Sequence, residues 1–164
     1  MKKRISAPED APQRYDVREL KTDDFGNGFL ETLGSLSDVE GLPSEEARRI
    51  LATMKRTPLY HVIVAVAANG QVIGATTLLV EQKFIHRGGL AGHIEDVAVR
   101  KGYQGMGVGG SLVKAGIQLA EELGCYKCIL DCKDELVGFY ERLGFSKRDV
   151  GMRLDFKPRS PRKR

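Results

Sequence analysis

Apolar and polar residues alternate from Tyr15 to Leu20, a period of two that predicts a first strand with one buried face. Asp23 and Asp24 precede a stretch, Phe25 to Leu36, whose apolar positions 25, 29, 30 and 33 recur at helical spacing. Pro43-Ser44-Glu45-Glu46 marks a second helix start, with a proline before a serine cap and acids in the first turn. Its apolar face is Ala47, Ile50, Leu51 and Met54, and Pro58 closes it. Two β-rich runs, Tyr60 to Ala67 and Gln71 to Val80, flank Asn69-Gly70, a strong hairpin signal. A loop, Phe84 to Gly89, leads to an apolar strand ending at Val99. Ser111 to Leu123 reads as a helix stopped by Gly124, and Tyr126 to Cys132 as a strand. Val137 to Leu143 reads as a short helix, and Phe145 to Phe156 as a last extended segment. The order β-α-α-β-β-β-α-β-α-β predicts an antiparallel meander followed by a βαβ unit.

A chain of 164 residues suffices for one domain with a single core, and 41% hydrophobic with 29% charged residues is ordinary for a globular protein. No apolar run has membrane-spanning length, and Met1-Lys-Lys-Arg-Ile-Ser has no apolar signal core behind it, so the expected compartment is the cytosol. The net charge of +4 hides an asymmetry: Lys2, Lys3 and Arg4 carry three charges, and Lys157, Arg159, Arg162, Lys163 and Arg164 five. Removing those eight leaves residues 5–156 at about −4. We expect 1–14 and 157–164 to be flexible basic ends around a domain at 15–156. Neither end interleaves aromatics with its cations, so nucleic-acid binding is not expected. Cys125, Cys128 and Cys132 lack a nearby fourth ligand for zinc and are expected to be reduced, buried thiols, with no metal site.

Candidate chemistry concentrates at Gln104-Gly105-Met106-Gly107-Val108-Gly109, between the strand ending at Val99 and the following helix. A glycine-dense turn at a helix start leaves backbone N–H groups unpaired at the positive end of the helix dipole, ready for a phosphate. The lysine of a P-loop is missing, and the glycines do not follow dinucleotide-fold spacing. Q-x-x-G-x-G (Gln104, Gly107, Gly109) instead resembles the pyrophosphate loop of the GNAT superfamily of N-acetyltransferases.

The wider string is G-H-I-E-D-V-A-V, Y-Q-G-M-G-V-G, G-C-Y-K-C-I-L-D-C and V-G-F-Y-E-R-L-G-F over 92–145. It resembles one family within that superfamily, the glucosamine 6-phosphate N-acetyltransferases. The resemblance implies an α/β GNAT fold, a mixed, mostly antiparallel twisted sheet of six to seven strands flanked by about four helices. It implies acetyl-CoA as co-substrate, D-glucosamine 6-phosphate as acceptor, a place in UDP-N-acetylglucosamine synthesis, and a homodimer with a composite site. Cofactor contacts are expected from the main chain of Val97, Ala98 and Val99, from Gln104, Gly105, Met106, Gly107, Val108 and Gly109, and from Tyr140. Tyr140 is expected beside the cofactor sulfur, where a phenol can protonate the departing thiolate.

The same resemblance gives Glu95, Asp96 and Asp131 to the sugar, with Glu95 and Asp131 as catalytic candidates near the amine. Alternation along the strand would send Glu95 and Asp96 to opposite faces. Lys83, His86, Lys127 and Ser37 are implied for the sugar and its phosphate, some from the partner subunit. Two positions depart from the family pattern. Leu136 stands where an asparagine is usual, and Asp155 where an arginine near the phosphate is usual, with Arg153 as its possible replacement. Alternatives are a GNAT enzyme acting on protein lysines or another small amine, and a binding module that uses its basic ends.

Overall fold

The computed structural model describes residues 15–39 and 41–156. The basic ends 1–14 and 157–164, expected to be flexible, lie outside the described residues. The chain divides after Leu130 into two units. In the first, five strands stand side by side in sequence order: β1 (Tyr15–Glu19), β2 (Tyr60–Ala67), β3 (Val72–Gln82), β4 (Leu90–Val99) and β5 (Cys125–Ile129). Neighbours are antiparallel through β4, and β5 lies parallel to β4. Asn69-Gly70 makes the β2–β3 hairpin, closed by the Gly70 N–H donating to the Ala67 carbonyl at 2.9 Å. The sheet is smaller than the six to seven strands expected. Residues 145–156 pair with no described neighbour, because an extended segment needs another strand to become part of a sheet.

Helices cover both faces. On one side lie α1 (Phe29–Leu33) and α2 (Ser44–Met54), which close a core of Leu20, Phe25, Phe29, Leu51, Val64 and Ala75. The first helical pattern is not one helix: a 3-10 turn, Thr22–Gly26, is separated from α1 by Gly28 in the left-handed region (φ 92°). The two glycines around Asn27 weaken helix continuation there. A buried ion pair pins this entry. Arg18 donates two bonds of 2.8 Å to Asp24, whose Oδ2 also accepts the Lys21 N–H at 2.7 Å. In α2, Pro43 rather than Ser44 occupies the cap position.

On the other face, α3 (Val108–Glu122) buries Val108, Leu112 and Ala115 against Val17, Ile63, Ala65 and Ile73. Each such large side chain stabilises the fold by about 1.5–3 kcal/mol. The helix sits close because Gly74 faces it: a Cβ there would meet Val108 Cγ1 at 2.7 Å and Leu112 Cδ1 at 2.8 Å. This contact fixes the start of α3 against β3, and with it the turn that precedes the helix. Among the described residues no helix is long and apolar enough to cross a membrane.

The second unit contains a 3-10 turn, Asp134–Leu136, and α4 (Val137–Glu141). Tyr140 is buried and packs edge-on to Phe139 and Phe145, with ring centroids 4.9 and 6.0 Å apart. β5 stops at Ile129, so Cys132 lies outside the strand and is exposed rather than buried. Cys128, the better shielded thiol, is pushed up to about 11 by burial and by neighbouring Cys125, and is inert at neutral pH.

Candidate active site

The glycine turn is arranged as its sequence implies. Gly105 (φ 77°) and Gly107 (φ 79°) both adopt the left-handed conformation, and nothing lies within 4 Å of a Cβ built on either. The left-handed geometry explains why glycine stands there, and the open space lets another molecule approach the backbone. Gly107 caps α3, and the first helical bond runs from the Ser111 N–H to the Gly107 carbonyl at 3.0 Å. The N–H groups of Val108, Gly109 and Gly110 precede that bond and lie at the positive helix end. No acid stands in the first turn to compete with an anion. Gln104 braces the turn from behind, its Nε2 donating to the Val99 carbonyl at 3.4 Å.

β4 leads into this turn with one edge open. It pairs with β5 only from Leu90 to His93, and the stretch from Ile94 to Val99 has no strand on that side among the described residues. The exposed edge of Val97, Ala98 and Val99 can take an extended chain by strand addition. On its other side β4 bulges. Ala75 pairs with Ala98 and Thr77 with Glu95, so β4 carries one residue more than β3 across this interval. Asp96 occupies the bulge with φ 53°, a conformation that costs a non-glycine residue about 1–2 kcal/mol.

Glu95 and Asp96, expected on alternating faces, are both exposed where the extra residue interrupts the β3–β4 register. Thr76 was missed from the sequence. Its buried hydroxyl donates to the Glu95 carbonyl at 2.9 Å and secures the bulge. The signal was available: Thr76 and Thr77 interrupt an apolar strand, and such hydroxyls need partners.

Among the described residues the basic candidates divide into those with an acidic partner and those without. Lys83 Nζ lies 2.5 Å from Glu81 Oε1, and His93 Nε2 donates to Glu81 Oε2 at 2.9 Å. The bonds from Lys83 and then His93 hold the Glu81 carboxyl below its ordinary range. Lys83 is therefore engaged by an acid. His86 and Lys127 instead meet around Tyr126: the His86 ring stacks on it at 4.3 Å, and the Lys127 ammonium lies 5.7 Å from its centroid. His86 and Arg87 sit in a left-handed turn, φ 53° and 58°, which fixes their directions. Ser37 is exposed beside Gly34 and Asp38 at a surface hollow.

Within the second unit, burial and then the neighbouring Cys132 push the Tyr140 phenol above its ordinary value, so it stays protonated at neutral pH. Asp131 is exposed, and a Cβ on Gly151 would come within 3.2 Å of its Oδ1, so the returning chain passes close to this carboxylate. Arg153 Nε donates to Asp155 Oδ1 at 2.7 Å. The candidate replacement cation is thus paired with the residue that stands in the usual arginine's place. Leu136, in place of an asparagine, is 42% exposed and offers no polar group.

Comparison with known proteins assigns the family. Residues 15–145 match the model of the Acetyltransferase (GNAT) family. A Candida albicans glucosamine 6-phosphate N-acetyltransferase is 42% identical over 142 residues, 86% of this chain and 95% of that protein. The Oryza sativa glucosamine 6-phosphate N-acetyltransferase 1 is 37% identical, covering 88% of each chain. The crystal structure of the Arabidopsis thaliana enzyme of that name superposes with a TM-score of 0.85 at 31% identity, covering 88% of this chain and all of the other. The chain belongs to the GNAT acetyltransferases and, within them, to the glucosamine 6-phosphate N-acetyltransferase family. It is an acyltransferase, and GNAT acetyltransferases take acetyl-CoA as co-substrate.

Proposed function

We propose that residues 15–156 transfer the acetyl group of acetyl-CoA to the amine of D-glucosamine 6-phosphate. The products are N-acetyl-D-glucosamine 6-phosphate and CoA, on the way to UDP-N-acetylglucosamine. One observation carries the proposal: the open edge of β4 runs straight into a helix start whose amides await an anion. The pyrophosphate binds the N–H groups at 107–110, and the pantetheine arm pairs with Val97, Ala98 and Val99. The amine nitrogen attacks the thioester carbonyl carbon while the Val97 N–H donates to the developing oxyanion. The carbon–sulfur bond then breaks with its electron pair going to sulfur, and Tyr140 supplies a proton to that sulfur. The attacking nitrogen gives up its proton to water, relayed through Glu95 or through Asp131. Holding both reactants in place supplies much of the rate.

Asp96 accepts from the sugar hydroxyls, while His86 and Lys127 receive the phosphate. Their freedom from acidic partners among the described residues supports them above Lys83 and Arg153, which are paired. We further propose a homodimer. Val150, Met152, Leu154 and Phe156 alternate along the chain and are 86, 95, 77 and 84% exposed, an apolar row that a second copy would cover. Three free thiols support a cytosolic place of action. The test is thiol release from acetyl-CoA with a panel of amino sugars, each with and without a 6-phosphate, and a lysine peptide. Turnover with the peptide alone would assign a different acceptor.

A further inference from the structure

Beneath α1 and α2 lies a cavity of about 130 Å³ whose apolar part the transfer mechanism does not use. Phe25, Phe29, Leu33, Leu51 and Val62 make its apolar wall. Ile50, 40% exposed, and the half-buried Met54 border it and give it a way to the surface. The opposite end is polar and belongs to the β3–β4 bulge: Thr76, Thr77 and Asp96. Thr76 is already committed to the Glu95 carbonyl at 2.9 Å. The carboxylate of Asp96 makes no hydrogen bond or ion pair with a described residue.

The shape and chemistry select a ligand. An apolar cavity of about 150 Å³ takes one benzene-sized body, so a single six-membered ring is the largest apolar group expected here. Phe25 and Phe29 stand edge-to-face at 5.5 Å and 84°, presenting a ring face and a ring edge to such a guest. A carboxylate at the far end favours a cation, and an ammonium forms a charge-assisted hydrogen bond with it. We propose that this cavity binds a small arylalkylamine, its ring within the wall of Phe25, Phe29 and Leu51 and its ammonium on Asp96. The binding stands apart from the acetyl-transfer reading. Its consequence rests on that reading: because Asp96 is given to the amino sugar, the ligand excludes the sugar and leaves acetyl-CoA in place.

The test uses the wild-type protein without substrates, so its outcome is independent of transfer activity. 2-Phenylethylamine, ethylbenzene and ethylamine are titrated separately by calorimetry. We expect 2-phenylethylamine to bind about tenfold more tightly than ethylbenzene, the worth of one hydrogen bond to a charge, and ethylamine to give no heat. Equal affinity for ethylbenzene, or no binding of 2-phenylethylamine at millimolar concentration, overturns the proposal. Ala47, buried on the same wall, is then changed to leucine to occupy the cavity, and the affinity should fall at least about tenfold. A folded Ala47→Leu protein that binds as wild type places the ligand elsewhere. If that variant does not fold, methyl NMR of the wild type decides. Shifts at Leu51 and Val62 support the cavity, and shifts confined to other methyl groups refute it. In steady-state assays the ligand should raise KM for the amino sugar and leave KM for acetyl-CoA unchanged. An unchanged sugar KM beside a confirmed preference for 2-phenylethylamine over ethylbenzene would overturn the exclusion of the sugar and the role of Asp96 in holding it.

Discussion

Replacing Gly107 by valine separates backbone strain from ligand exclusion, because the structure supplies a matched control. Gly107 has φ 79° and Gly41 has φ 77°, and a Cβ on either meets nothing within 4 Å. In both places valine must adopt a left-handed conformation, at a cost of about 1–2 kcal/mol. Neither variant clashes with the protein, so urea denaturation should show similar losses of stability. Only the valine at Gly107 protrudes into space that the pyrophosphate needs. Displacing one amide-to-phosphate bond costs about 1.5–3 kcal/mol, so the CoA Kd should rise at least about tenfold in Gly107→Val and stay unchanged in Gly41→Val. Titration calorimetry with CoA measures this directly. Wild-type affinity in Gly107→Val, or equal weakening in both variants, would refute the assignment of the turn to the pyrophosphate.

Tyr140→Phe should lower kcat at least about tenfold, near 1.4 kcal/mol of barrier, with CoA affinity retained; an unchanged kcat removes the proton donor. The raised Tyr140 pKa also means that kcat should show no loss from its ionisation below about pH 10, which a pH–rate profile checks. Burial disfavours the Asp24 charge, but the Arg18 bonds and the Lys21 N–H outweigh it and leave the carboxyl below its ordinary range. The pair therefore stabilises the fold fully above the unfolded carboxyl value of about 4, and that contribution fades as pH falls towards the folded value. Asp24→Asn should cost about 2–3 kcal/mol at pH 7 in urea denaturation and less at acid pH; a pH-independent loss contradicts this reading. Met152→Asp places a charge in the exposed apolar row and should give an inactive monomer by sedimentation. An active monomer would dismiss the shared site, as would failure of co-refolded Lys127→Ala and Glu95→Ala subunits to recover activity.

The glycine turn, the Asn69-Gly70 hairpin and the crossover through α3 were legible because each rests on local backbone requirements. The bulge was not. It begins at two adjacent charged residues, Glu95 and Asp96, so an extra residue on β4 between Glu95 and Ala98 leaves no mark on the apolar pattern that alternation could detect. The roles of the cations were also hidden. Glu81, two residues before Lys83, captures that lysine only because the end of β3 brings the pair together, and it gathers His93 from the neighbouring strand as well. Arg153 is likewise drawn to Asp155. The pattern at 150–156 reads as a strand, yet a strand exists only with a partner, and the described residues of one chain provide none. Its exposed apolar side chains explain both the expectation and the difference.

The central claim is that the amine of a phosphorylated amino sugar is the acetyl acceptor. Its most direct test is kcat/KM for thiol release from acetyl-CoA with D-glucosamine 6-phosphate and with D-glucosamine, followed by mass identification of the product. The account predicts an N-acetylated sugar phosphate and at least about a hundredfold preference for the phosphorylated substrate, the worth of two charge-assisted contacts to His86 and Lys127. Equal turnover of the two sugars, or release of thiol without an acetylated sugar, would contradict it.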